Sequence, residues 1–240
     1  MIRILFFLCL CAAATAFEIP QDCGQLILAR AEHWESSSAE LRKFEKINGR
    51  WKARGGRVPV RLGRNGLAWG LGLHPLPPGA VRKQEGDGKA PAGVFAIGHA
   101  YGYASSIRKH PALRYHQVTE SDLWVEDPDS RYYNHHLRLQ GRSPQTPWEE
   151  QAQMRLNDPA HALKLFIAHN APPESVAGAG SAIFFHLWRE NGARPTSGCT
   201  VMAPSELEAL IAWIDPTLQP LYVLLPEPVY RQVRPEWGLP

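Results

Sequence analysis

A mainly β fold with a few short helices is what this sequence predicts, and three features carry the reading. The chain has 240 residues, 44% hydrophobic and 20% charged, enough apolar material for a packed core in one large or two small domains. Its 21 prolines and 20 glycines are spread without a period, which excludes collagen and calls for many turns between short elements. Between those turns lie short apolar or alternating runs, the pattern of strands. The net charge is only +3 and the basic residues form no long block, so no nucleic-acid partner is expected.

Arg3, the apolar run Ile4 to Ala12 and the small residues Ala14-Thr15-Ala16 follow the order of a secretory signal peptide cleaved after Ala16. The run is far shorter than the roughly 20 residues that span a bilayer, an uncleaved anchor being the alternative. On this reading residues 17–240 form a single exported domain in the periplasm or cell envelope. Cleavage leaves Cys23 and Cys199, either a disulfide of an oxidising compartment or a thiol kept for chemistry.

Along the chain, Gln25–Arg30, Glu40–Ile47 and Arg57–Leu62 read as strands. Ser36-Ser37-Ser38, Asn48-Gly49 and Gly55-Gly56 punctuate them, which predicts an antiparallel meander with one wet face. Residues 63–103 are dense in Gly and Pro, with a strand at Val94–Ile97 and a charged loop at Arg82–Lys89. Thr146-Pro147-Trp148-Glu149 has capping-box spacing with Pro at the first helical position and predicts a helix to about Leu156. Ala162–Ala168 reads as a buried strand ending in His169-Asn170. The turn Gly178-Ala179-Gly180-Ser181 leads into a second apolar strand, Ala182–Phe185, ending in His186. Glu206–Ile214 has helical spacing behind Pro204, and Leu221–Leu225 closes the core as a strand.

Two features carry chemistry: His186 at a strand end, and Thr196-Ser197-Gly198-Cys199 after a polar loop. A thiol attacks a carbonyl as the thiolate, and an imidazole in reach takes its proton and holds the anion by charge. Gly198 allows a sharp turn, so that N–H groups around Ser197 to Cys199 converge on an oxyanion. The same residues fit a structural thiol and a core histidine, and both readings stay open at this level. His135-His136, His161, His169 and His186 invite a metal, but no HExxH helix or paired CxxC spacing accompanies them, so none is expected. His169, Asn170, Thr196 and Trp188 are candidate cleft residues, with a structural role as the alternative for each. Asp127, Asp129, Arg131 and Tyr133 read as a loop beside a substrate or as a solvated one.

Gly178-Ala179-Gly180-Ser181-Ala182-Ile183-Phe184-Phe185-His186-Leu187-Trp188, followed by Pro195-Thr196-Ser197-Gly198-Cys199, resembles the active-site motif of the L,D-transpeptidase catalytic domain, or YkuD, family. Glu85–Phe95, Val125–Asn134 and His169-Asn170 fit the same resemblance, which runs from about residue 63 to 213. It implies a β-sandwich catalytic domain, Cys199 as nucleophile and His186 as base. It further implies acyl transfer on peptidoglycan stem peptides, with a second stem peptide or a D-amino acid as acceptor and no metal or organic cofactor. An L,D-carboxypeptidase or crosslink-cleaving peptidase is the hydrolytic alternative. A non-catalytic wall module with a Cys23–Cys199 disulfide is the alternative of another class. Where many relatives carry His just before the Gly-Cys pair and Arg two residues after the cysteine, this chain has Ser197 and Val201, so those contacts do not carry over.

Overall fold

In the computed structural model, which describes residues 17–240, the first three strands form the expected meander, but Gly55-Gly56 does not punctuate it: the pair lies inside the third strand, where the register with the second shifts between Leu41 and Lys43. β1 (Gln25–Ala31), β2 (Ser38–Ile47) and β3 (Arg50–Arg61) form an antiparallel meander. β1 is almost wholly buried while β2 and β3 keep a wet face. The signal peptide read in residues 1–16 lies outside the described residues.

The remaining strands are β4 (Leu67–Trp69), β5 (Ala90–Gly102), β6 (Tyr115–Gln117), β7 (Asp122–Trp124), β8 (His136–Arg138), β9 (Leu163–Ile167), β10 (Phe184–Leu187), β11 (Thr200–Met202) and β12 (Leu221–Pro226). β12 pairs with β1 in parallel and with β5 antiparallel. From β5 the ladder runs through β9, β10 and β11 back to β3. The sheet therefore closes on itself and these strands leave no exposed edge to one another. β4 and β6 attach to β5, and β7 with β8 makes a separate two-stranded ribbon. With 34% of the described residues in strands and 16% helical, this is the mainly β, sandwich-like fold that the sequence predicts.

The main core holds Leu26, Ile27, Phe95, Phe185 and Tyr222, all essentially inaccessible, each worth roughly 1.5–3 kcal/mol of burial. Of the helices α1 (Pro147–Gln151), α2 (Pro204–Trp213) and α3 (Glu227–Trp237), α2 lays Leu207, Leu210 and Ile211 on that core. α3 lies in a segment where no element is expected from the sequence. Pro228 falls in its first turn, where no backbone donor is needed, and Tyr230 and Trp237 bury the face toward the sheet.

Two predicted boundaries are corrected. α1 stops at Gln151 rather than near Leu156. Beyond it the chain is captured by β7: the Trp124 amide bonds the Ala152 carbonyl at 2.7 Å and the Met154 amide bonds the Asp122 carbonyl at 2.9 Å. Glu149 does not close a capping box; it is buried on Arg142 at 2.6 and 3.0 Å and on the Gln145 amide at 2.8 Å. β10 starts at Phe184, not Ala182, because Ala182 has φ +53°, a left-handed conformation that no strand residue adopts. His186 lies near the strand's end, as expected, one residue before its last, Leu187.

Along β10, side chains alternate between faces. Phe185 enters the main core, whereas Phe184 joins Tyr101, Val118, Trp124, Met154 and Phe166 in a second cluster, with Cys199 packed against it. That second face positions the site.

Candidate active site

β10 and β11 run parallel, with Phe185 opposite Thr200 and His186 opposite Val201. Cys199, one residue before β11, thus arrives level with Phe184 and donates its thiol to the Ala182 carbonyl at 3.4 Å. His186 is 4% exposed. Its Nδ1 lies 2.9 Å from the Leu187 carbonyl oxygen and 3.2 Å from that of Ala160. Two acceptors at Nδ1 hold the proton there and leave the lone pair on Nε2, the tautomer a general base needs. The His161 ring stacks on His186 at 4.8 Å. Cys199 and His186 line one cavity of about 380 Å³ together with Lys83, Glu126, His161 and Lys164.

Burial sets the protonation states. It pushes the His186 imidazole down to about 4, Arg189 and Lys164 acting in the same sense. Burial also pushes the Cys199 thiol up to about 11, although the Phe184 amide favours the thiolate. Both shifts disfavour the thiolate–imidazolium pair expected from the motif and favour a neutral thiol and a neutral imidazole on this cleft. Iodoacetamide is accordingly expected to alkylate Cys199 more slowly than a free model thiol near neutral pH, with a rate that climbs about tenfold per pH unit into the alkaline range. Faster labelling than the model thiol would overturn this assignment.

The turn before Cys199 is locked by Thr196. Its hydroxyl accepts the Gly198 amide at 3.0 Å and donates to the Cys199 carbonyl at 2.7 Å. The Gly198 N–H is thereby spent, which corrects its expected place in an oxyanion hole. Neither the Ser197 nor the Cys199 N–H finds an acceptor among the described residues. Gly198 itself is required: its φ is +153° and a Cβ there would come within 2.9 Å of the Lys89 carbonyl oxygen. The Ser197 hydroxyl accepts from Arg64 at 2.9 Å. Val201, where relatives carry Arg, is buried in the ladder beside His186.

Of the cleft candidates, only Thr196 lines the cavity. Trp188 does not, because the chain folds back on it and Gly192 packs against its indole. His169 and Asn170 are buried behind the cleft and brace its loop. His169 accepts the Leu71 amide on Nδ1 at 3.1 Å and places Nε2 2.9 Å from the Ala179 carbonyl oxygen. Asn170 donates to the Val176 and Gly180 carbonyls. Tyr133 turns out to be part of the same brace, bonding Glu85 and accepting the Gly180 amide at 3.1 Å.

Two residues here were not among the site residues expected from the sequence, although Asn134 ends the Val125–Asn134 stretch of the resemblance. Asn134, buried at φ +60°, accepts from the Trp124 indole at 2.9 Å and the Ala182 amide at 3.0 Å, and donates to the Asn170 carbonyl at 2.7 Å. It thus pins the residue whose carbonyl meets the thiol. Lys164 stands directly opposite His186 in the antiparallel β9–β10 pair, where cross-strand side chains are neighbours. It is buried, its ammonium meets the Met154 carbonyl at 3.3 Å, and burial pulls it down to about 8. A lone lysine inside the apolar run 163–167 was the available signal.

The cysteines stand as free thiols in separate clusters. Cys23 is inaccessible in the main core and donates to the Gln25 carbonyl at 3.3 Å, so the Cys23–Cys199 disulfide is not formed. Nor do the histidines weighed as a metal set gather. His161 and His186 stack, His169 is behind the loop, His135 bonds the Tyr133 carbonyl, and His136 bonds Asp122.

Residues 46–223 match the model of the L,D-transpeptidase catalytic domain, YkuD, so the chain belongs to that family. The match extends beyond residues 63–213 at both ends. Members are typically catalytic, act on peptidoglycan stem peptides and are associated with the cell wall. No curated protein matches the chain. Among solved structures, the helical cell shape determining protein Pgp2 from Campylobacter jejuni is similar at 14% identity and TM-score 0.37, over 84% of this chain and 47% of that one. Its K307A mutant is similar at 13% identity and TM-score 0.38, over 87% and 49%. The chain thus spans about half the length of the solved structures it matches. No helix among the described residues is long and apolar enough to cross a membrane.

Proposed function

We propose that this protein is an exported L,D-transpeptidase acting through a Cys199 thioester. The observation that carries the reading is the placement of the Cys199 thiol and the His186 imidazole on one cleft, with Nδ1 held by two backbone carbonyls and Nε2 left as base.

In the first step the Cys199 Sγ attacks the carbonyl at the L-centre of the stem peptide's diamino acid as its proton passes to His186 Nε2. The proton is transferred as the C–S bond forms, because burial favours the neutral pair. The amides of Ser197 and Cys199 stabilise the oxyanion. Collapse breaks the C–N bond, and the terminal D-residue leaves as its amine, which takes the proton from His186. In the second step His186 removes a proton from an acceptor amine that attacks the thioester, and returning that proton to sulfur restores the thiol. Water in place of the amine gives the carboxypeptidase outcome. Lys164, opposite the base, supplies a cation for a carboxylate of the stem peptide.

The test is product mass. A tetrapeptide stem incubated with the protein and excess amine acceptor, including a D-amino acid, is expected to lose its terminal D-residue and to appear as exchanged or crosslinked peptide. Tripeptide alone would replace transfer by hydrolysis, and an untouched donor from acid to mildly alkaline pH would overturn both.

A further inference from the structure

β6, β7 and β8 are three short strands, of which β7 reaches the cleft through Trp124, and each contributes one residue to a single cluster. His116 comes from β6, Asp122 from β7 and His136 from β8. Both Nε2 atoms converge on the same carboxylate oxygen, Asp122 Oδ1, at 2.7 and 2.8 Å. The three donor atoms lie within 4.8 Å of one another. Asp122 is fully buried, and its other oxygen is fixed by the Thr119 amide and hydroxyl, each at 2.7 Å.

From this geometry we propose that His116, Asp122 and His136 form a binding site for a divalent cation of zinc type, which ties the three strands together.

Two imidazoles and one carboxylate are a donor set that suits zinc. Bond lengths of about 2.0–2.1 Å around a tetrahedral ion put its ligands roughly 3.3 Å apart, so each Nε2 has to draw back from Asp122 Oδ1 by about half an ångström while the two Nε2 atoms, within 4.8 Å of each other, close toward the same spacing. Neither ring has a partner for Nδ1 among the described residues, so each is free to carry its proton there and offer the Nε2 lone pair. Thr119 plays the part that outer hydrogen bonds play in metal sites, orienting the ligating carboxylate. The imidazoles are 27% and 20% exposed, which gives the ion an entry path and leaves a position for water. The nearest formal cation, Arg138, sits 3.8 Å from the carboxylate and is 65% exposed, so it swings into solvent at little cost.

The site bears on the cleft through Trp124. Its ring lies nearly parallel to His136, 12° apart, and it lines the cavity. An ion on the cluster would stiffen that wall without touching the reacting atoms. The sequence signal was present but scattered: the ligands lie at 116, 122 and 136, and only strand pairing brings them together.

The experiment is titration of the purified protein with Zn²⁺ alone and Co²⁺ alone near neutral pH, beside Cys199→Ala, His116→Gln and His136→Gln. Expected are one Zn²⁺ per chain, a raised Tm, and a Co²⁺ spectrum with visible ligand-field bands but no thiolate charge transfer. Binding is expected to be unchanged in Cys199→Ala and weakened at least about tenfold in either histidine variant. Circular dichroism checks that the variants are folded. Should one not fold, ¹¹³Cd chemical shifts of the wild-type protein distinguish nitrogen and oxygen ligands from sulfur. Three results would overturn the proposal: no binding tighter than about 100 µM, binding lost in Cys199→Ala, or binding indifferent to both histidines.

Discussion

Turnover of a stem-peptide donor is expected to fall by at least about 10³-fold in Cys199→Ala, and comparably in His186→Ala. The first removes the atom that bonds to substrate. The second leaves a thiol near pKa 11 with no group to take its proton, and a thiol in that state is a poor nucleophile. Because both changes disable one unit, the double variant is expected to be little worse than either single one. The non-additivity is the sharper readout, since two independent structural defects would multiply. Cys23→Ala, by contrast, alters only a core thiol and is expected to leave the rate near wild type. Steady-state kinetics of the four proteins on a tetrapeptide stem decide the matter, and a Cys199→Ala protein of normal activity would dismiss the mechanism.

The second large effect is on stability in acid. His74, His169 and His186 are buried and held down to about 4 by desolvation, against about 6.5 in an unfolded chain. His161 adds a fourth group of the same sign. Glu126, whose carboxyl is raised mainly by the desolvated cleft, works in the opposite sense. Between pH 6.5 and 4 the unfolded chain therefore binds about three more protons than the folded one. Unfolding free energy then falls as pH falls, by roughly 4 kcal/mol per pH unit at most. Against a total of about 5–15 kcal/mol for an ordinary domain, the protein is expected to unfold before pH 4 is reached. Denaturant midpoints measured from pH 7 to 5 test this, and a flat profile would mean that these imidazoles are charged in the fold or accessible to water. The stability is fully present above about 6.5, so neutral conditions conceal the effect.

Patterns local in the chain determined a good deal. Alternation in 25–62 specified the meander, the Leu207, Leu210 and Ile211 spacing specified α2, and the Gly-Ser run with His186 and the Thr196–Cys199 turn marked the candidate nucleophile and base. These are legible because a period of two or 3.6 residues and a glycine at positive φ are properties of short segments. What tertiary structure alone decided depends on atoms far apart in sequence. α1 is short because β7 takes the hydrogen bonds its last turn would have used. Ala182 is left-handed because Asn134, 48 residues away, holds its amide. Lys164 meets His186 through strand register, and Trp188 leaves the cleft because the chain turns back at Gly192. Burial weighs against the ion pair expected from the motif, since the spacing of a thiol and an imidazole carries no information about how much water surrounds them. Desolvation is a collective property of the packed cleft, and it favours the neutral form of both the thiol and the imidazole.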